Sequence, residues 1–215
     1  MAHYFDPNPT TESKPQEIAF RMNGIDFSFI TDHSVFSRTR LDFGSELLLK
    51  TVVSEFATQK SSRGVSVLDL GCGYGPIGTV LKRVFPGISI IMADINERAV
   101  LLAKENAERN LVKFADIRVS DAFSAITESF DAILTNPPIR AGKKTVFAFY
   151  DGAFRHLKPS GKLYVVIQKK QGAPSSVDKL QELFGNCDVI DREAGYWILK
   201  SIKSTESMES TEPME

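Results

Sequence analysis

Asn136-Pro137-Pro138 closes an apolar run, downstream of a glycine-rich Asp69-Leu70-Gly71-Cys72-Gly73-Tyr74-Gly75. The first motif suits one difficult reaction. An exocyclic amine on a planar base has its lone pair delocalised into the ring and is a poor nucleophile. The Asn136 side-chain carbonyl and the Pro137 backbone carbonyl can accept both amine hydrogens, turning the lone pair outward and stabilising positive charge as it develops on nitrogen. Proline carries no N–H, so Pro-Pro after a strand predicts a rigid turn whose two carbonyls find no neighbouring donor. Asn136, Pro137 and Pro138 are therefore the catalytic candidates. The rest is in-line positioning at about 3 Å, with no metal and no nucleophilic side chain required.

The glycine segment predicts where the other reactant sits. Glycines after a strand allow close backbone approach and a sharp entry into a helix whose N–H groups point at a ligand. Alone, Gly73-Tyr74-Gly75-Pro76-Ile77-Gly78 fits a dinucleotide fingerprint, with Asp94 on a ribose hydroxyl, and fits a plain tight turn equally. Two details favour S-adenosylmethionine. Asp69, at a strand end, calls for a cationic neighbour such as the methionine ammonium, whereas it would repel a pyrophosphate. Asp121-Ala122 follows a third strand, where a carboxylate can accept the adenine amino group. The candidate cofactor residues are Asp69, Gly71, Cys72, Gly73, Gly75, Asp94, Ile95, Asp121, Ala122 and Asn136. Singly, each acid also reads as a helix cap or a solvated loop residue.

The surrounding elements must bring these motifs to one rim. Glu17–Met22 and Ile25–Thr31 alternate in polarity around Asn23-Gly24, the strongest short hairpin signal. Asp42 or Ser45 can cap a helix reaching about Phe56. From Val65 strands and helices alternate: strands are expected at Val65–Leu70, Ile88–Ala93 and near Ile117–Val119, Phe130–Thr135 and Lys162–Gln168, with helical patterns after the first, second and fourth. A last helix opened by Pro174 follows, then two successive strands near Asp188–Asp191 and Tyr196–Ile202. That order predicts an α/β Rossmann-like fold, a mostly parallel sheet with helices on both faces and an antiparallel edge, plus the N-terminal β-hairpin. The expected organisation is an N-terminal extension over 1–60, the main domain over 61–203 and a disordered tail over 204–215.

Composition narrows the class. At 215 residues, with 42% hydrophobic and 25% charged residues, the chain suits one well-cored globular domain. A formal net charge of −1 confines any nucleic-acid affinity to a local patch. Two cysteines and three histidines lack disulfide or metal-ligand spacing, so no metal is expected. No apolar run nears the roughly 20 residues that span a bilayer, and the polar N-terminus lacks a signal pattern. A cytoplasmic location without membrane attachment is the expectation. Composition implies no oligomeric state.

Asp-x-Gly-x-Gly-x-Gly followed by Asn-Pro-Pro resembles the class I S-adenosylmethionine-dependent N-methyltransferases. Val35-Phe36-Ser37, Leu41-Asp42-Phe43-Gly44-Ser45 and Thr135-Asn136-Pro137-Pro138-Ile139-Arg140-Ala141-Gly142 look like the small-domain (MTS) group, which includes the bacterial 16S rRNA guanine-N2 methyltransferases. The likeness runs from about Tyr4 to Ile202. It implies a seven-stranded methyltransferase fold and guanine N2 of small-subunit rRNA as target. Two departures stand out. The residue after Asn-Pro-Pro is often Phe or Tyr in this group, and here it is Ile139, which gives up base stacking worth about 1–3 kcal/mol. The chain also has room for one methyltransferase domain, without the duplicated N-terminal domain of larger members.

Cations near the second motif point to RNA, as free rRNA or as the ribosomal subunit. Arg140, Lys143 and Lys144 follow Asn-Pro-Pro, and Lys169-Lys170 follow the fifth strand of the main domain. In a parallel sheet both loops share one rim, so the five are expected to cluster, joined by Arg38 and Arg40. Phe36 can cover the pocket or sit in the core. Other readings remain: protein glutamine-N5 methylation, adenine-N6 methylation (weakened by Ile139), a nicotinamide-dependent oxidoreductase, and a non-catalytic RNA-binding module.

Overall fold

A computed structural model describes residues 12, 14–32, 40–58 and 62–205. Phe36 and Arg38, the Val35–Ser37 segment and most of the expected tail lie outside the described residues. Strands β1 (Gln16–Met22) and β2 (Ile25–Thr31) form the hairpin, with Asn23 and Gly24 both at positive φ as a primed turn requires. The main domain then runs α1 (Phe43–Ala57), β3 (Ser66–Leu70), α2 (Pro76–Val84), β4 (Ser89–Asp94), α3 (Glu97–Arg109), β5 (Ala115–Val119) and β6 (Phe130–Thr135). It closes with α4 (Lys143–His156), β7 (Leu157–Gln168), α5 (Ala173–Phe184), β8 (Asp188–Glu193) and β9 (Tyr196–Ile202).

The seven strands order as β5-β4-β3-β6-β7-β9-β8. The first five in that order pair in parallel, whereas β9 lies antiparallel to both β7 and β8. Alternation along each strand feeds two cores. Val67, Met92, Leu134, Tyr164 and Ile198 pack with the hairpin, α1, α2 and α3. Leu68, Ala93, Ile133, Val165 and Leu199 pack with α4 and α5 on the other face. The expected fold is the observed one. Strand β7 begins at Leu157, five residues before its expected start, because Ser160 N–H donates to Lys203 O and Lys203 N–H to Gly161 O, supplying ladder partners across a Pro-Ser-Gly segment.

The hairpin is fastened by two asparagines of the α3 end. Asn106 accepts from Ile30 N (2.7 Å) and donates to Ile30 O (2.8 Å) and Tyr74 O (2.9 Å). Asn110 accepts from Ser28 N (3.0 Å) and donates to Ser28 O (2.8 Å). Side chains one helical turn apart thus meet alternate residues of β2 and stand in for a third strand. Among the described residues, no helix is long and apolar enough to cross a membrane.

Candidate active site

The strands' C-terminal ends open into a cavity of about 680 Å³, the place where open α/β sheets bind ligands. Its wall includes Gly71, Cys72, Gly73, Asp94, Ile95, Asp121, Ala122, Asn136, Pro137, Pro138, Ile139 and Arg140, so most of the predicted site converges.

At the glycine end, backbone and carboxylate hold one another. Gly71 N–H (2.8 Å) and Cys72 N–H (3.0 Å) both donate to Ala93 O at the end of β4. Asp94 accepts from Gly73 N–H at 2.8 Å through Oδ2 and from Asn96 N–H at 2.9 Å through Oδ1. Burial drives the Asp94 pKa upward, against these backbone donors, which favour the ionised form. Gly71 and Gly73 lie at positive φ, which lets the loop turn beneath the cavity. Burial also pushes the Cys72 thiol up, so Cys72 serves as a small neutral wall residue.

Two predicted cofactor residues stand back from the wall. Asp69 points from β3 toward α2 at 1% exposure, and its Oδ2 accepts from Gly78 N–H at 2.8 Å. Its Oδ1 has no hydrogen-bond partner, and burial raises its pKa to about 7. Asp69 therefore braces the start of α2 and lies off the cavity wall. A Cβ on Gly75 would come within 2.9 Å of Ala103 Cβ, so this glycine is needed to seat α2 against α3.

At the other end, a partner set absent from the expected site fixes Asn136. Its Nδ2 donates to Asp42 Oδ2 (3.0 Å) and to Ser45 Oγ (3.0 Å). Asp42 also caps α1, accepting from Ser45 N–H at 3.0 Å. Both amide hydrogens are thereby used, which leaves Oδ1 as the free function of the carboxamide. The expectation of idle proline carbonyls is corrected. Pro137 O accepts from Ile139 N–H (2.8 Å) and Pro138 O from Ala141 N–H (2.9 Å). Pro138, at φ −74° and ψ 80°, forms an inverse γ-turn that feeds a short 3-10 turn over Ile139–Ala141. The Pro137 carbonyl keeps a second lone pair.

The cation cluster is looser than expected. Arg140 reaches the wall, whereas Lys143, Lys144, Lys169, Lys170 and Arg40 are exposed and lie off it. Lys143 rests over the Phe147 ring, 5.0 Å from its centroid. The wall gains Tyr196, at the start of β9, which pattern reading left as an ordinary strand residue.

The wall fits S-adenosylmethionine better than a dinucleotide. Asp94 and Asp121 offer acceptors for hydroxyl and amino groups, and Arg140, beyond Asn-Pro-Pro, is the one lysine or arginine on it among the described residues. A pyrophosphate would meet Asp94 and Asp121 on this wall, which disfavours the nicotinamide reading. The methyltransferase small domain model matches residues 26–200. An uncharacterized protein, YbxB, of Bacillus subtilis is 47% identical over 203 residues, covering 94% of this chain and 98% of that one. Ribosomal RNA small subunit methyltransferase C of Haemophilus ducreyi is 37% identical over 78% of this chain. A solved structure of a Thermus thermophilus 16S rRNA N2 G1207 methyltransferase, with AdoMet and guanosine, superposes with a TM-score of 0.78 at 30% identity, covering 91% of this chain. The chain spans about half the length of these two rRNA enzymes, 49% and 52%. A match running from the hairpin to β9, around an acid-lined glycine cradle facing a fixed asparagine, shows that the chain belongs to the methyltransferase small domain family and is an S-adenosylmethionine-dependent methyltransferase.

Proposed function

We propose that this enzyme methylates an exocyclic base nitrogen of RNA, with guanine N2 of small-subunit rRNA as the target. The observation that carries the reading is the double anchoring of Asn136 by Asp42 and Ser45. With both N–H groups committed, Oδ1 can only accept, and an amine presents two hydrogens to be accepted. Oδ1 takes one and Pro137 O, by its second lone pair, the other. Holding both hydrogens weakens the lone pair's conjugation with the ring and stabilises charge on nitrogen. S-adenosylmethionine supplies the electrophilic methyl group when bound. The amine proton rests against Asn136 Oδ1 until solvent removes it. Arg140 on the wall, with Lys143, Lys144, Lys169 and Lys170 exposed beyond, offers phosphate contacts. The rRNA relatives support guanine, and the basic rim favours RNA over a protein glutamine.

The test is transfer of labelled methyl from S-adenosylmethionine to rRNA from cells lacking this protein, with position mapping. One labelled guanine N2 is the expected outcome. Label on protein alone would overturn the reading.

A further inference from the structure

Ile139 leaves the position after Asn-Pro-Pro without a ring, yet the cavity does have an aromatic wall. Tyr196 stands opposite Gln168 in the β7–β9 ladder and is part of the wall with Asn136, Pro137, Pro138 and Ile139. Its ring is only half-buried, and three restraints hold it in place. Phe43 lies against one side at 5.5 Å between centroids, tilted by 42°. A Cβ on Gly44 would lie 2.8 Å from Tyr196 Cε1, so the absence of a side chain there makes room for the ring. The β8–β9 turn, with Ala194 and Gly195 both at positive φ, is tied down by Lys169 N–H donating to Gly195 O at 2.8 Å.

The ring also stands beside the clamp on Asn136. The same point above Gly44 lies 3.1 Å from Asp42 Oδ2, the oxygen that holds the Asn136 amide. One helical turn, Asp42 to Ser45, therefore orients the acceptor and seats an aromatic face. A planar π-face next to a group that grips an amine fits a purine.

We propose that Tyr196 is the surface on which the target base stacks, in place of the ring missing at Ile139. This rests on the base-methylation reading. Two experiments test it, using the full chain with rRNA from cells lacking this protein, and guanosine as the small probe. Tyr196→Leu is expected to raise the KM for rRNA roughly tenfold or more, with Tyr196→Phe within about threefold of the unsubstituted protein. S-adenosylhomocysteine affinity should be equal in all three. In protein labelled with 3-fluorotyrosine, the fluorine signal missing from Tyr196→Phe should move upfield when guanosine is added with S-adenosylhomocysteine, a readout that survives if the leucine variant misfolds. Unchanged KM in Tyr196→Leu, or a fluorine signal that stays fixed at saturating guanosine, would overturn the stacking role alone. No transfer to rRNA by the unsubstituted protein would overturn the underlying reading and the stacking role with it.

Discussion

At the glycine end of the cavity, the contacts of the two acids and of the β4 end run within one βαβ unit: Asp94 with Gly73, Ala93 with Gly71 and Cys72, Asp69 with Gly78. At the Asn-Pro-Pro end, the contacts span 91 and 94 residues, from Asn136 to Ser45 and Asp42, and α1 must dock before the acceptor is aimed. The first end is a mainly local cradle, with one added tie from Asn106 of α3 to the Tyr74 carbonyl. The second is assembled from three distant segments around a shared point at Gly44. Cofactor affinity and turnover should therefore be separable by mutation, although both ends share one cavity.

The largest effect that sharpens this division belongs to Asn136→Ala. The rate of methyl transfer should fall by about 10² to 10³, the loss typical of removing one donor or acceptor aimed at developing charge. Calorimetry should show S-adenosylhomocysteine affinity within about threefold of normal. Comparable losses in both would merge the two ends into one.

Asp94→Ala should do the opposite. It removes a charged acceptor from the wall and releases the Gly73 and Asn96 amides, lowering S-adenosylhomocysteine affinity roughly 10- to 100-fold. Turnover at saturating cofactor should fall much less. Ser45→Ala comes next, with one of the two Asn136 anchors gone and the Asp42 cap kept. Turnover should drop on the order of tenfold, without change in cofactor affinity. A normal rate in this variant would mean that Asp42 alone orients the amide.

The smallest effect is on stability and belongs to the glycine end. Asp69 has a folded-state pKa of about 7, above an unfolded value of about 4. Between those limits the unfolded chain has released a proton that the folded chain keeps, so Asp69 lowers stability as pH rises across the window, and the loss levels off above it. Asp69→Asn can still accept from Gly78 N–H and does not titrate. Its melting temperature should gain on the unsubstituted protein steadily from about pH 4 to about pH 7. A difference independent of pH would remove Asp69 from the account.

The same division explains what could be read from residues in order. The cradle was legible because strand, glycines, helix start and acid follow one another locally, and each has a short-range physical cause. Asp42 was legible as a helix cap. Its second task was not, since a capping acid gives no sign of an amide 94 residues later. Tyr196 was placed correctly at a strand start, but alternation could not say that its ring would face the cavity. The placement of Asp69 was hidden for a related reason: its spacing fits a ligand contact, and only the register of β3 shows that it shares the Val67 face and turns toward α2. The proline carbonyls misled because a γ-turn brings Pro137 O a donor from two residues ahead, and the 3-10 turn brings Pro138 O one from three.

The asparagine mimic of a third strand has a consequence for how the molecule opens. A two-stranded hairpin is marginal in water by itself, and this one takes its missing backbone partners from Asn106 and Asn110 on α3. Asn106 extends the link to the Tyr74 carbonyl inside the glycine loop. The amides of Ser28 and Ile30 are therefore released to solvent when hairpin and α3 separate, and a displacement of α3 would also take Asn106 from the Tyr74 carbonyl. Hairpin and cradle are therefore expected to open as one unit, and bound S-adenosylhomocysteine is expected to slow hydrogen exchange at the Ser28 and Ile30 amides.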